Sequence, residues 1–105
     1  MNATYGFQAT MTAKPGRGDE LVALLMTGLV DGNPASTDYC LVYLVSRSAA
    51  NPDRVHLTEG WTSEEDHHRL FASEAAQAMV AKFEDLLDGE SVYADFTPVD
   101  GKLVG

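Results

Sequence analysis

The run Arg54 to Leu87, RVHLTEGWTSEEDHHRLFASEAAQAMVAKFEDLL, decides how the chain is organised. Its first eight residues alternate. Val55, Leu57, Glu59 and Trp61 fall on one side, and His56, Thr58 and Gly60 on the other, the period of a strand. Thr62 and Glu65 then have the spacing of a capping box. Ser63, Glu64 and Asp66 add negative charge where a helix dipole favours it. Ser73 is a second N-cap inside the segment. A short helix is therefore expected near Ser63 to Phe71, and a longer one near Glu74 to Leu87. The stripe Ala76, Met79, Val80, Phe83, Leu86, Leu87 carries the second helix. The polar residues suited to chemistry crowd the strand-to-helix corner.

Working outward, Tyr5 to Ala13 alternates with Tyr5, Phe7, Ala9 and Met11 on one face, and Lys14-Pro15-Gly16 breaks it. Asp19 to Val30 turns to helical period through Leu21, Leu24, Leu25 and Leu29, ending at Gly32 and Pro34. Tyr39 to Arg47 is apolar on both faces: Cys40, Val42 and Leu44 on one, Leu41, Tyr43 and Val45 on the other. It reads as a strand forming an antiparallel hairpin with Arg54 to Trp61. Ser91 to Val99 is the last strand and Gly101 to Gly105 a tail. The order β-α-β-β-α-β predicts an α+β, ferredoxin-like fold: a four-stranded antiparallel sheet with its helices on one face, and residues 1–105 as a single domain. The uncovered apolar face calls for a second copy packed sheet to sheet about a two-fold axis.

Bulk composition narrows the functional classes. The 105 residues are 45% hydrophobic and 22% charged, with 16 acids against 7 Lys plus Arg and a net charge of −9. That balance gives no electrostatic support for nucleic acid or for an anionic membrane surface. No apolar run is long enough to span a bilayer, and the N-terminus lacks the pattern of a signal peptide. A single cysteine permits no intrachain disulfide. These features lead to the expectation of a cytoplasmic protein.

Three groups of residues resemble a known family: Tyr39 to Val45, the Asn51-Pro52-Asp53 loop, and above all Glu59-Gly60-Trp61-Thr62-Ser63-Glu64-Glu65 followed by His67. They are similar to the antibiotic biosynthesis monooxygenase domain, closest to its small quinol-monooxygenase-like members of the dimeric α+β barrel type. The resemblance spans nearly the whole chain. It implies a homodimer with a pocket between sheet and helices in each subunit. It also implies oxidation of a small aromatic phenol, quinol or anthrone by O2, with no metal, flavin or haem cofactor. Glu59 and Trp61 match the strand part of the pattern, and His67 a histidine that some relatives carry in the following helix. Haem-degrading relatives place their histidine further along, where this chain has Leu70 and Phe71.

The candidate catalytic residues are therefore Glu59, Trp61 and His67. Glu59, on an otherwise apolar face, is either a base with a raised pKa or a structural partner of an arginine such as Arg47 or Arg69. Trp61 either stacks on a planar substrate or fills the core. His67 either takes a proton at neutral pH or bonds an acid such as Glu64. Gln8, Tyr43, His68, Phe71 and Phe83 are the expected substrate-binding set, with Gln8, Tyr43 and Tyr93 placed at the pocket or at the dimer seam. Adjacent His67 and His68 diverge on a helix and His56 faces away from Trp61, so no metal site is expected. Cys40 reads as core. The competing functional readings are a non-catalytic ligand-binding dimer and a haem-binding relative.

Overall fold

The computed structural model describes residues 2–102. Its strands β1 (Tyr5–Thr12), β2 (Cys40–Arg47), β3 (Arg54–Trp61) and β4 (Val92–Phe96) form one antiparallel sheet in the order β2-β3-β1-β4. Three helices, α1 (Gly18–Met26), α2 (Glu64–Phe71) and α3 (Glu74–Phe83), complete an α+β ferredoxin-like fold. The β2–β3 hairpin and the short-helix, long-helix division after β3 agree with the sequence pattern. Of the expected tail, residues 103–105 lie outside the described residues.

The alternation in β1 and β3 separates the two sheet faces. Phe7, Ala9, Met11, Val55 and Leu57 are buried against Leu21 and Leu25 of α1, with Phe83 of α3 packed on this core. Burying such side chains contributes about 1.5–3 kcal/mol each, which fixes the strand register. Gln8 pairs with Thr58 and Thr10 with His56 on the reverse face. There Leu44 is 41% exposed, Val92 67% and Phe96 38%.

Four expectations are corrected. First, a bulge between Cys40 and Val42 sets Cys40 opposite Trp61, whereas Val42 lies opposite Gly60. Cys40 thus joins the helix-facing side, and does not share a face with Val42 and Leu44, because the irregularity breaks the two-residue period. Second, α1 stops at Met26 and continues only as the 3-10 turn Thr27–Leu29. Third, α3 ends at Phe83, not Leu87. Leu87 instead bridges to Ala13, while Lys14 N–H bonds the Leu86 carbonyl and Asp88 N–H bonds the Thr12 carbonyl. Main-chain pairing at the end of β1 has displaced the last helical turn. Fourth, the cap of α2 is Ser63, whose hydroxyl accepts from Asp66 N–H at 3.0 Å. Thr62 N–H is still bonded to the Tyr39 carbonyl of the sheet, so the helix starts one residue later than the Thr62/Glu65 spacing predicts.

The Asn51-Pro52-Asp53 loop has a structural task. The Asp53 carboxylate accepts from Gly16 N–H and Gly18 N–H, both at 3.0 Å, and so caps α1 from a distant part of the chain. Arg17, at the N-cap position itself, makes no side-chain cap.

Candidate functional site

Between the helix-facing side of the sheet and the helices lies a cavity of about 870 Å³. The sheet supplies Phe7, Leu57, Glu59 and Tyr43. α2 supplies His67, His68 and Phe71, and α3 supplies Met79, Val80 and Phe83. The strand-to-helix corner is thus one wall of the cavity, and five of the expected residues, Tyr43, His67, His68, Phe71 and Phe83, line it together with Glu59.

Glu59 is the singular group of this wall, buried to 2% exposure on an otherwise apolar face. Its Oε1 accepts from the Trp61 indole N–H at 2.7 Å. Neither arginine considered as a partner reaches it: Arg69 bonds Asp66 at 3.1 Å and Arg47 bonds Asp19 at 2.9 Å. Loss of hydration pushes the Glu59 carboxyl up to about 7, with the indole hydrogen bond acting the other way by favouring the anion. An acid that half-ionises at neutral pH inside an apolar cavity is placed to take a proton from a bound ligand and return it.

Trp61 does not line the cavity. It is fully buried behind His67 and Phe71, with ring centroids at 5.2 and 6.2 Å, and its N–H is committed to Glu59. Of its two readings, stacking on a planar substrate or filling the core, this placement fits the second. Its route to the cavity is through the carboxyl it holds.

His67 sits in an aromatic cage, with ring centroids 4.5 Å from Phe71, 5.1 Å from Phe7 and 5.7 Å from Tyr5. Burial, followed by the neighbouring His68, lowers its pKa to about 4, against a smaller opposing effect of Asp95. The ring is therefore neutral at pH 7, and its buried Nδ1 has no hydrogen-bond partner among the described residues. Glu64 does not bond it.

Gln8 is absent from the cavity lining. The register of β1 sends it to the reverse face, where its amide is 3.5 Å from Thr58 Oγ1. Tyr5 and Phe7 on β1 and Asp95 on β4, not picked out as candidates, are among the residues that line the cavity. Tyr5 and Phe7 share the alternation of Ala9 and Met11. Their position across from Trp61 and Glu59 depends on strand pairing, which the sequence does not print. The Tyr5 hydroxyl donates to Asp95 at 3.2 Å, and its pKa rises to about 12 through burial and that carboxylate. Burial likewise pushes the Cys40 thiol up to about 12, so it stays protonated and unreactive. Among the described residues no group of three or more His, Cys, Asp or Glu is placed to hold a metal ion. No helix among them is long and apolar enough to cross a membrane.

Residues 4–82 match the family model described as antibiotic biosynthesis monooxygenase. The chain belongs to this family. Among solved structures, a Chloroflexus aurantiacus J-10-fl protein, described provisionally as an antibiotic biosynthesis monooxygenase, is 29% identical with a TM-score of 0.82. The match covers 98% of this chain and 100% of that one. PA3566 of Pseudomonas aeruginosa is similar at 21% identity and TM-score 0.77, covering 95% and 98% of the two chains. Rv0793 of Mycobacterium tuberculosis is similar at 20% and 0.79, covering 94% and 98%. The latter two share the fold of this antibiotic biosynthesis monooxygenase family member. Among curated proteins none matches the sequence.

Proposed function

We propose that this family member is a monooxygenase that oxidises an electron-rich phenol, quinol or anthrone with O2, Glu59 acting as proton acceptor. One observation carries the reading: a buried carboxyl, titrating at about 7, lines an apolar and aromatic cavity large enough for a polycyclic ligand.

For an anthrone the chemistry balances as ring CH2 plus O2 giving C=O plus H2O. Glu59 removes a proton, leaving an electron-rich anion held away from water by Phe7, Leu57, Phe71 and Phe83. One electron passes to O2, and the resulting pair combines at carbon to give a peroxide anion. Protonated Glu59 returns the proton, and loss of water from the hydroperoxide leaves the carbonyl. The protein contributes proton transfer, orientation and exclusion of bulk water. Trp61 positions Glu59, and neutral His67 is part of the aromatic wall.

The exposed Leu44, Val92 and Phe96, opposite the helices, support pairing with a second copy through the reverse face of the sheet. The mass in solution by light scattering checks this, and a monomer at micromolar concentration would exclude it.

Incubation with anthrones and quinols under O2, followed by oxygen electrode and quinone absorbance, tests the reaction. Glu59→Gln keeps an acceptor for the indole but cannot take a proton, and should lower turnover by about 10²–10⁴-fold. Undiminished turnover in that variant overturns the role of Glu59. Saturable binding of these compounds without oxygen uptake would make the chain a ligand carrier instead.

A further inference from the structure

Apart from the imidazoles of His67 and His68, the chargeable side chains that line the cavity are all acids. Buried Glu59 is joined by Glu64, Glu84, Glu90 and Asp95, all exposed, and among the described residues no lysine or arginine lines the cavity. Three of the arginines are engaged with acids elsewhere: Arg17 with Glu20, Arg47 with Asp19 and Arg69 with Asp66. The whole chain carries −9, so no compensating field comes from further away. A ligand carboxylate entering here gives up water and meets five carboxyl groups with no lysine or arginine to pair with, whereas an ammonium group meets carboxylates and the aromatic rings of Tyr5 and Tyr93. Repulsion of this kind discriminates between ligands of the same shape.

We propose that the cavity selects aromatic ligands that bear no anionic group, and holds those with an ammonium substituent more tightly than their neutral isosteres. The acids do not make the site; the cavity does, and Glu64, Glu84 and Glu90 determine which aromatics it admits. The inference rests on the cavity being the aromatic site proposed above, but it concerns binding alone and does not require oxidation.

The test uses naphthols carrying a carboxamide, a carboxylate or an aminomethyl group at the same ring position, titrated into the full chain by calorimetry. The carboxamide should bind, the carboxylate about tenfold or more weakly, and the aminomethyl compound more tightly. The spread should narrow with added salt and in the Glu64→Gln/Glu84→Gln/Glu90→Gln variant, whose changes are all at exposed positions. A carboxylate that binds as well as the carboxamide, or a spread unchanged in the triple variant, overturns the selectivity. If none of the three binds, the selectivity and the aromatic-site reading fall together. If the predicted order holds but no phenol consumes O2, the selectivity stands and only the oxidation reading falls.

Discussion

Glu59→Gln should change how stability depends on pH more than it changes stability itself. Gln is isosteric and can still accept the Trp61 N–H, so packing is retained. What is lost is a titration. In the fold the Glu59 carboxyl ionises at about 7, against an ordinary value of 4.5. Between those values the native state keeps a proton that the unfolded chain has released. The stability associated with Glu59 is therefore fully present below 4.5 and is lost as pH rises through about 7. At about 1.4 kcal/mol per pH unit, the loss over that interval is about 3 kcal/mol. His67 works in the opposite sense. Its pKa falls from 6.5 to about 4 in the fold, so stability rises with pH across that interval and is lost as pH falls through it. The two slopes oppose each other between 4.5 and 6.5, and the native protein should look insensitive to pH there. Urea unfolding followed by circular dichroism, at fixed protein concentration and spaced pH values, reads this out. Glu59→Gln should become more stable with rising pH below 6.5, and His67→Phe less stable with rising pH up to about 7. A wild-type minus Glu59→Gln difference that stays constant within about 0.5 kcal/mol over the whole interval would refute the raised ionisation of Glu59.

Trp61→Phe removes the hydrogen bond that favours the Glu59 anion, so the rising limb of kcat/KM against pH should move upward by about one pH unit. An unmoved midpoint would leave Trp61 as packing alone. Gly28→Ala puts a Cβ 2.6 Å from the Tyr43 hydroxyl, which donates to the Leu25 carbonyl. The crowding should cost about 1–3 kcal/mol by urea unfolding and weaken aromatic binding at the Tyr43 wall. Asp53→Ala leaves Gly16 N–H and Gly18 N–H without their acceptor and should cost about 1–2 kcal/mol, with helicity lost first at α1 by hydrogen exchange.

The sheet was legible because alternation and burial coincide in β1 and β3: Phe7, Ala9, Val55 and Leu57 need no tertiary information to declare their side. The corner was legible for the same reason, since a glutamate on an apolar face before a capped helix is unusual. The rest turned on contacts between distant segments. The bulge that turns Cys40 toward Trp61 leaves no mark in an evenly apolar strand. The end of α3 depends on Ala13 competing for Leu87, and periodicity cannot see a competitor just past the end of β1. Gln8 is the exception: its polarity suggests a pocket residue, but its parity in β1, visible in the sequence, already sets it opposite Phe7 and Ala9 on the reverse face. For Trp61 the choice between stacking on a substrate and filling the core stays open in the sequence, because strand position gives a side chain's direction but not what stands in front of it, here His67 and Phe71. Asp95 reached the cavity through pairing with Phe7, a register that nothing local to β4 announces.

The indole bonded to Glu59 belongs to the only tryptophan in the chain. Its emission therefore comes from a single fluorophore whose immediate neighbour changes charge near neutrality and borders the cavity. The protein carries its own optical gauge: one wavelength scan can follow the carboxyl's ionisation, and a second, with an aromatic added, can follow occupancy without any label.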